Sequence, residues 1–366
     1  MAAYRIDPRI DVATTLPGSY YSDGVAWLAA RERVFGRTWQ WLGDLRDVAQ
    51  PGSLSPRTLL PRVLDEPLLL TRDAAGTLRC MSNVCTHRGN LLVRDACRAD
   101  AIRCSYHSRR FDLSGRMTFM PEFEHAKNFP TPADDLPHVP FDTWAGHGFA
   151  AVDPIAPLDA FIGDAVKCVE SLPIRELEPM VARARDFVVA AHWALYVENY
   201  LEGFHIPFVH PGLNTMVDYE SYSTTLHRYS VLQVAHAREG EVAFGSDRRD
   251  GAGRRIAAYY WWIFPNLMLN FYPWGLSVNH VLPEAMDRTR VAFRAYVGDS
   301  SMLEAGAGGG LDRVEAEDEA IVEAVQRGVR SRYYVAGRYS PTREQGVHHF
   351  HRLLAEFMDD TSVRAR

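Results

Sequence analysis

The stretches CTH at residues 85–87 and CSYH at residues 104–107 each place one cysteine and one histidine almost side by side. Thiolate sulfur and imidazole nitrogen are both strong ligands for transition metals, and the two stretches together offer two of each. A single zinc ion would accept such a set, so the residue types alone leave more than one metal site open. The four candidate ligands are Cys85, His87, Cys104 and His107.

The arrangement of the four residues favours an iron–sulfur cluster over zinc. Zinc fingers carry both histidines on one helix, whereas here each stretch contributes one cysteine and one histidine. This pairing suits a Rieske [2Fe-2S] cluster, in which one iron takes both thiolates and the other takes both imidazoles. Short apolar runs separated by glycine and proline surround both stretches, which predicts that they are loops of a small β domain.

Composition excludes few classes of protein but makes some improbable. The 366 residues are 47% hydrophobic and 23% charged, with a formal net charge of -6. A mildly acidic chain lacks the concentrated lysine and arginine surface that nucleic-acid binding needs. We expect no secretory signal and no membrane span, because charged residues and prolines interrupt every apolar run. Five cysteines, an odd number, fit a reducing compartment, so the predicted location is the cytoplasm.

A second group of candidate ligands lies in WALYVENYLEGFHIPFVHPGL, residues 193–213. Asn199, Glu202 and His205 recur at a spacing of three, so one helical face can present them together. His210 follows five residues after His205, out of helical register, but a proline between them can break the helix and bring both imidazoles to one point. Two histidines beside polar side chains in an apolar segment are costly to bury unless partnered, which predicts a mononuclear metal site.

The sequences NVCTHRGN and CSYHSRRFDLSGR resemble the Rieske domain of the Rieske non-heme iron (ring-hydroxylating) oxygenase α subunits. The second loop departs from the family's usual C-P-Y-H-G-W-x-F at Ser105, Ser108 and Arg109, positions that shape the loop and its hydrogen bonds to the cluster. The resemblance extends over nearly the whole chain. Within the family, the chain looks most like the choline, betaine and carnitine oxygenases.

The resemblance implies a mononuclear Fe(II) held by a facial triad of two histidines and one carboxylate, with open positions for oxygen and substrate. His205 and His210 match the family's histidines, and Asp318 in EAEDEAIVEAVQ matches the position of its carboxylate. Glu315 is the alternative, because it lies on the same helical face. The acidic cluster around these two residues is also compatible with a solvated helix surface.

Glu202 falls where the family usually has an aspartate that links the mononuclear iron to the Rieske cluster of a neighbouring subunit. An acid hydrogen-bonded to imidazole on each side orients the ligands and couples their protonation. The resemblance therefore implies a catalytic role for Glu202, with Asn199 beside it, a homotrimer, and a flavin-dependent, NAD(P)H-dependent reductase as electron donor. A buried structural or helix-capping glutamate is the alternative.

The predicted fold is α+β, with an all-β Rieske domain at 38–152 and a helix-grip-like catalytic domain at 153–366. An N-terminal helical segment, 1–37, is expected to pack on the catalytic domain, with a helix at 22–36 capped by Ser22. The glycine-rich stretch at 304–310 is predicted to be a flexible connection. The other predicted elements are helices within 156–205, an antiparallel sheet within 220–300, and long helices at 311–330 and 341–358.

The aromatic stretch YYWWIFPNLMLNFYPW, from residue 259, predicts the substrate site. Alternate side chains of a strand share one face, and aromatic faces attract methylated ammonium groups. The predicted reaction is O2-dependent hydroxylation or N-demethylation of a small organic substrate, with a quaternary ammonium compound as the preferred candidate. An aromatic-ring dioxygenase is the alternative, and a non-catalytic electron carrier or zinc-stabilised protein is the alternative outside the enzymes. The candidate pocket residues are Trp262, Phe264, Phe271 and Trp274.

Overall fold

The computed structural model describes residues 4–245 and 248–359. The chain divides into two compact units, one formed by Gly36–Ile155 and the other by Met1–Phe35 together with Ala156–Arg366. The N-terminal segment thus groups with the later part of the chain. None of the helices in the described residues combines the length and hydrophobicity needed to cross a lipid bilayer.

The unit Gly36–Ile155 consists of short antiparallel strands in three small sheets, as expected for the all-β domain. The sheet orders are β4-β3-β2-β5, β6-β7-β8 and β1-β10-β9. The CTH loop lies between β4 and β5, and the CSYH loop lies between β6 and β7. The strands are β1 (Gln40–Asp44), β2 (Ser53–Leu59), β3 (Glu66–Arg72), β4 (Leu78–Ser82), β5 (Cys97–Arg98), β6 (Ile102–Arg103), β7 (Arg110–Phe111), β8 (Met117–Phe119), β9 (Phe141–Trp144) and β10 (His147–Ala150).

The second unit is built on one antiparallel sheet with the order β11-β18-β17-β16-β15-β14-β13, in which β12 also pairs with β18. The strands are β11 (Glu178–Pro179), β12 (Arg185–Val189), β13 (Ser223–Leu226), β14 (Ser230–His236), β15 (Ile256–Ile263), β16 (Leu267–Tyr272), β17 (Gly275–Ala285) and β18 (Arg288–Val297). The helices are α1 (Gly24–Arg33), α2 (Asp159–Cys168), α3 (Trp193–Tyr200), α4 (Ile206–Val209), α5 (Pro211–Met216), α6 (Leu311–Val329) and α7 (Gln345–Asp359). The α+β prediction is confirmed.

Strand register determines which side chains face the helices. Gln233 of β14 pairs with Tyr260 of β15, which in turn pairs with Asn270 of β16. Directly paired residues of antiparallel strands project from the same face of the sheet, so these three side chains form one polar patch. Helix α3 packs against β17 and α6, which brings the histidine segment close to the acidic helix.

The N-terminal helix differs from its prediction in its start and its buried face. Asp23, not Ser22, caps α1, because its carboxylate accepts a hydrogen bond from the Val25 N–H at 2.8 Å. Val25 and Leu28 are each 62% exposed, although both are apolar. Small alanines form the buried side of α1 instead, since the helix packs closely against α7.

Two other segments also differ from their predictions. The stretch 156–205 contains strands β11 and β12 between its helices, because the β-branched run at Val188 completes the sheet beside β18. The glycine-rich stretch 304–310 packs against aromatic side chains and is not a flexible connection. A side chain at Gly308 would place its Cβ 2.2 Å from the indole nitrogen of Trp274, and that nitrogen donates a hydrogen bond to the Gly308 carbonyl at 3.2 Å.

Candidate metal centres

Three predicted ligands converge at one point in the second unit. The Nε2 atoms of His205 and His210 are 3.1 Å apart, and Asp318 Oδ1 lies 3.0 Å from His210 Nε2 and 3.5 Å from His205 Nε2. One ligand atom from each residue lies within 4.8 Å of the others. Neutral imidazole nitrogens and a carboxylate oxygen at such distances are the donor set that a mononuclear iron uses.

The chain around the histidines explains their meeting. Helix α3 ends at Tyr200, and the separate four-residue helix α4 lies between His205 and His210, with Pro207 in its first turn. Proline is tolerated there because the first N–H groups of a helix have no partner within it. The prediction that this proline breaks the helix is therefore wrong. The chain leaves the helical conformation before His205, between α3 and α4, and again at His210, which has a φ of -115° and a ψ of 70°, and this path brings together two imidazoles five residues apart.

Each histidine donates a hydrogen bond from its other ring nitrogen to a carboxylate. His205 Nδ1 donates to Glu202 Oε1 at 2.6 Å, and His210 Nδ1 donates to Glu317 Oε2 at 2.7 Å. With Nδ1 protonated, each Nε2 presents its lone pair towards Asp318. Glu202 also caps the following turn, since its Oε2 accepts the His205 backbone N–H at 3.1 Å. The contact between Glu317 and His210 was not predicted from the sequence, although Glu317 directly precedes Asp318.

The charges around His210 favour a cation at this point. Burial alone would lower the pKa of His210, but hydrogen bonds to Asp318 and Glu317 outweigh it and raise the pKa above its ordinary value. The same hydrogen bond to His210 lowers the pKa of Glu317. A negative field that stabilises an imidazolium also stabilises a divalent metal ion between the same groups. The residues present therefore fit a mononuclear iron.

Glu315, the alternative carboxylate, lies apart from the three converging ligand atoms. Its side chain is 4% exposed, so the surface interpretation of the acidic cluster is wrong for this residue. Its Oε2 accepts a hydrogen bond from the Tyr196 hydroxyl at 2.7 Å. Asp318, on the next turn of α6, is the carboxylate that meets the histidines.

A cavity opens beside the three converging side chains. Asn199 and Glu202 line it together with the histidines, as their shared spacing predicted. Its ring-bearing walls are Tyr196, Tyr200, Tyr222, Tyr260, Tyr272 and Phe293. Its amide side chains are Asn199, Gln233, Asn270 and Asn279. The cavity wall is therefore aromatic, with hydroxyl and amide groups at several places.

None of the four predicted pocket residues is among those that line this cavity. Trp262 shares a sheet face with Tyr260, but its ring packs against Phe350 of α7 at a centroid distance of 5.3 Å. Phe264 packs on Phe357 of the same helix at 4.7 Å. The prediction was wrong because helix α7 covers this end of the sheet face.

The other two predicted residues also lie outside the cavity lining. The strand pleat accounts for Phe271, and stacking on a tyrosine accounts for Trp274. Phe271 pairs with Tyr259, so it projects from the sheet face opposite to Tyr260. Trp274 stacks on Tyr272 at 5.2 Å and supports this cavity residue from behind. Tyr260, two residues before Trp262, and Tyr272, one residue after Phe271, line the cavity instead, and aromatic density alone does not reveal this difference.

The four predicted cluster ligands lie on two neighbouring loops of the first unit. The Cys85 and Cys104 side chains are buried and within hydrogen-bonding reach of each other. The rings of His87 and His107 are 4.8 Å apart between centroids, and His107 Nδ1 has no hydrogen-bond partner among the described residues. Two thiols on one side and two imidazoles on the other are the donor arrangement of a Rieske cluster.

Backbone groups of the second loop stabilise a thiolate. Burial alone would raise the pKa of Cys104, but hydrogen bonds from the backbone N–H groups of Tyr106 and His107 outweigh it and lower the pKa. Asn90 Nδ2 donates to the same sulfur at 3.6 Å. Since iron binds cysteine as the thiolate, these donors suit the cluster.

The departures from the family motif have a structural account. Ser108 has a φ of +61°, in the left-handed region, which explains why the family usually has glycine at this position. Arg109 is 2% exposed, lies between Phe111 and Phe129, and forms an ion pair with Asp134 at 2.6 Å. A buried guanidinium thus replaces the family's tryptophan close to the cluster ligands.

Asp134 also joins the two ligand loops. Its backbone carbonyl accepts hydrogen bonds from the Thr86 hydroxyl at 2.7 Å and from Arg109 Nη2 at 3.2 Å. Thr86 lies between the ligands of the first loop, and Arg109 follows those of the second. One residue therefore fixes the spacing of both loops.

Comparison with known proteins identifies the family. The model of the ring hydroxylating alpha subunit (catalytic domain) matches residues 174–360, just over half of the chain. The chain belongs to this family. The Rieske [2Fe-2S] domain model matches residues 38–130. This chain is thus the oxygenase subunit of a Rieske-type oxidoreductase that uses a [2Fe-2S] cluster and a mononuclear iron, and not a zinc-stabilised protein or a simple electron carrier.

Relatives and solved structures agree with this assignment. The chain is 29% identical over 364 residues to the carnitine monooxygenase oxygenase subunit of Escherichia coli (strain K12), covering 95% of each chain. It is 28% identical over 374 residues to the chloroplastic choline monooxygenase of Arabidopsis thaliana, covering 95% of this chain and 84% of that one. The fold resembles the quaternary ammonium Rieske monooxygenase CntA with a TM-score of 0.78, at 24% identity over 97% of this chain and 100% of that chain.

Arg109 gives a first prediction for the oxygenase subunit. A buried positive charge stabilises the reduced cluster, so Arg109→Met should lower the midpoint potential of the cluster by on the order of 60 mV, equivalent to about a tenfold change for one electron. Redox titration followed by the visible spectrum measures the shift. Arg110→Met is the matched control, since Arg110 is the next residue and its side chain is exposed. Equal shifts in the two variants would contradict a specific effect of the buried charge.

Proposed function

We propose that this oxygenase subunit oxidises a small methylated ammonium compound with O2, by hydroxylation or N-demethylation. His205, His210 and Asp318 would hold the mononuclear iron, and Cys85, His87, Cys104 and His107 would hold the Rieske cluster. When bound, the iron supplies the activation of O2 and the cluster supplies electrons. The observation that carries the proposal is the tyrosine-walled cavity that opens directly onto the three iron ligands.

The aromatic wall is suited to a cation. Ammonium groups are attracted to the faces of aromatic rings by about 0.5–2 kcal/mol per ring, most strongly where water is excluded. Tyr200, Tyr222, Tyr260 and Tyr272 all line the cavity. The names of the relatives, carnitine monooxygenase and choline monooxygenase, point to the same class of substrate. Asn199 would complete the wall of the cavity beside the iron ligands.

We further propose that the subunit works as a homotrimer in the cytoplasm and takes electrons from an NAD(P)H-dependent flavin or iron–sulfur reductase. Phe204 and Phe208, on either side of His205, are 41% and 78% exposed, and Tyr106, beside His107, is 59% exposed. Exposed rings next to both metal sites suit contacts between copies, with electrons crossing from one chain to the next. Glu202, bound to His205, would be the residue through which the two sites communicate.

The ligand assignment predicts separable metal sites. His205→Ala and Asp318→Ala should each abolish turnover and the mononuclear iron while leaving the Rieske visible spectrum intact, because the two ligand sets lie in different units. Metal analysis together with the spectrum measures both outcomes. Glu315→Ala is the control, and it should retain the iron. Retention of iron and activity in Asp318→Ala, with loss of both in Glu315→Ala, would show that the carboxylate was wrongly assigned.

The role of Glu202 predicts a kinetic effect that its hydrogen bond alone does not explain. Glu202→Gln should keep both metals and substrate binding, yet slow oxidation of the pre-reduced cluster by about tenfold or more in a single turnover. Glu317→Gln is the matched control, because Glu317 makes the equivalent contact with His210. Similar rates in the two variants would reduce Glu202 to a residue that only orients its histidine.

The substrate class is tested by measuring whether oxygen consumption is coupled to product formation. A methylated ammonium compound should stimulate oxygen consumption by the reconstituted oxygenase and reductase, with one product formed per O2 consumed and formaldehyde released if a methyl group is the target. Oxygen uptake and product analysis by mass spectrometry measure the two quantities. A panel in which only uncharged or anionic aromatic compounds give coupled product would favour ring dioxygenation instead.

A further inference from the structure

A buried carboxyl group with one unpaired oxygen lies in the wall of the cavity. Glu315 lines the cavity, is 4% exposed, and accepts the Tyr196 hydroxyl through Oε2. Its other oxygen, Oε1, has no hydrogen-bond partner within the described part of the chain. Because an unpaired buried carboxyl oxygen is costly, this atom favours a ligand that brings a donor or a positive charge.

The surroundings of Glu315 disfavour its charged form and supply no counter-charge for it. Burial raises the pKa of Glu315 well above its ordinary value, because the charged form has lost its contact with water. The side chain is not one of the three that converge on the iron position. A cation bound in the cavity would pair with the carboxylate and offset the cost of its burial.

Gln233 carries a second buried acceptor atom that has no hydrogen-bond partner among the described residues. Gln233 is 1% exposed, and its Nε2 donates to the Tyr200 carbonyl at 2.7 Å, which fixes the orientation of the amide. The remaining atom, Oε1, has no partner among the residues that the structure describes. A carbonyl oxygen accepts a hydrogen bond from a hydroxyl group and repels a carboxylate. Gln233 therefore suits a neutral, hydrogen-donating end of a ligand.

The charged groups of the cavity exclude an anionic end. Its ionisable lining residues, tyrosines aside, are three acids and two histidines, and both histidines converge on the iron position. Lysine and arginine are absent from the described residues that line it. A substrate carboxylate would have no cationic side chain to pair with, and it would lose its contact with water without any compensating charge.

Building on the proposed function, we propose that Glu315 binds the ammonium group and Gln233 binds the hydroxyl group of a methylated amino alcohol with one positive charge. Zwitterions with a carboxylate at the opposite end are poor substrates of this chain. Tyr196 is a positioning residue, because it holds Glu315 through Oε2 and leaves Oε1 for the cation. The relatives include enzymes named for both kinds of compound, and the charge of the cavity distinguishes between them.

The test compares three probes on the intact, iron-loaded protein. Choline carries the cation and the hydroxyl, 3,3-dimethylbutan-1-ol is its uncharged isostere, and L-carnitine adds a carboxylate. Calorimetric titration should show choline binding at least about tenfold more tightly than either other probe, a difference of about 1.4 kcal/mol. Coupled oxygen uptake should follow the same order for choline and L-carnitine. This comparison needs no variant and so does not depend on how a substitution folds.

Variants then assign the effect to Glu315. Glu315→Gln should weaken choline binding about tenfold while leaving the uncharged isostere within about twofold, because only the cation loses its counter-charge. Asp312→Asn is the matched control, since it removes one negative charge from the exposed start of the same helix. Iron content and the Rieske spectrum of both variants should equal those of the wild type.

The hydroxyl contact is tested by omitting the hydroxyl. Propyltrimethylammonium has the shape and charge of choline without the donor, and it should bind about tenfold more weakly to the wild type. In Gln233→Met the two compounds should bind alike. Equal binding of both compounds to the wild type would overturn the assignment of Gln233.

The remaining outcomes separate this inference from the proposed function. Turnover of L-carnitine with a kcat/KM equal to or above that of choline would overturn the charge selectivity while supporting a methylated ammonium substrate. Equal loss of choline and isostere binding in Glu315→Gln would make Glu315 a structural residue. Failure of every methylated ammonium compound to give coupled product would overturn the proposed function and this inference together.

Discussion

Two hydrogen bonds between carboxylates and imidazoles determine how the mononuclear site is built. Glu202 and Glu317 each accept Nδ1–H from a histidine, at 2.6 and 2.7 Å, so both Nε2 atoms present lone pairs to one point. Free imidazole rings would populate both tautomers and several orientations. Because Glu202 follows α3 and Glu317 lies on α6, the packing of these two helices sets the ligand geometry. The cavity and its charge both depend on this arrangement.

One sheet face serves two purposes along its length. At Tyr260 it lines the cavity, and two residues later, at Trp262, it packs under α7. The same alternation places Asn270 in the cavity and Phe271 on the opposite face. A rigid aromatic support thus lies directly beside the cavity wall, and this keeps the tyrosine rings in place.

The convergence of the candidate ligand residues was predictable from the sequence because their spacing is local. The two loops and the histidine segment carry their information within a few residues, and the carboxylate followed from the family resemblance. The contact of Glu317 with His210 could not be predicted because 107 residues of sequence separate the two side chains. The pocket residues were wrong for a related reason. Whether a strand side chain faces a cavity or a helix depends on α7, which lies far along the chain and has no local signature beside Trp262.

The hydrogen bonds that Asp134 makes to Thr86 and Arg109 bear on how the iron–sulfur cofactor is assembled. Both ligand loops are tied to each other through protein atoms, with Arg109 held between two aromatic rings. Their spacing therefore does not require iron and sulfide to establish it, unlike in small zinc domains that fold only around their metal. The protein's own contacts thus help to hold the two loops at the separation that a cofactor with four protein ligands requires.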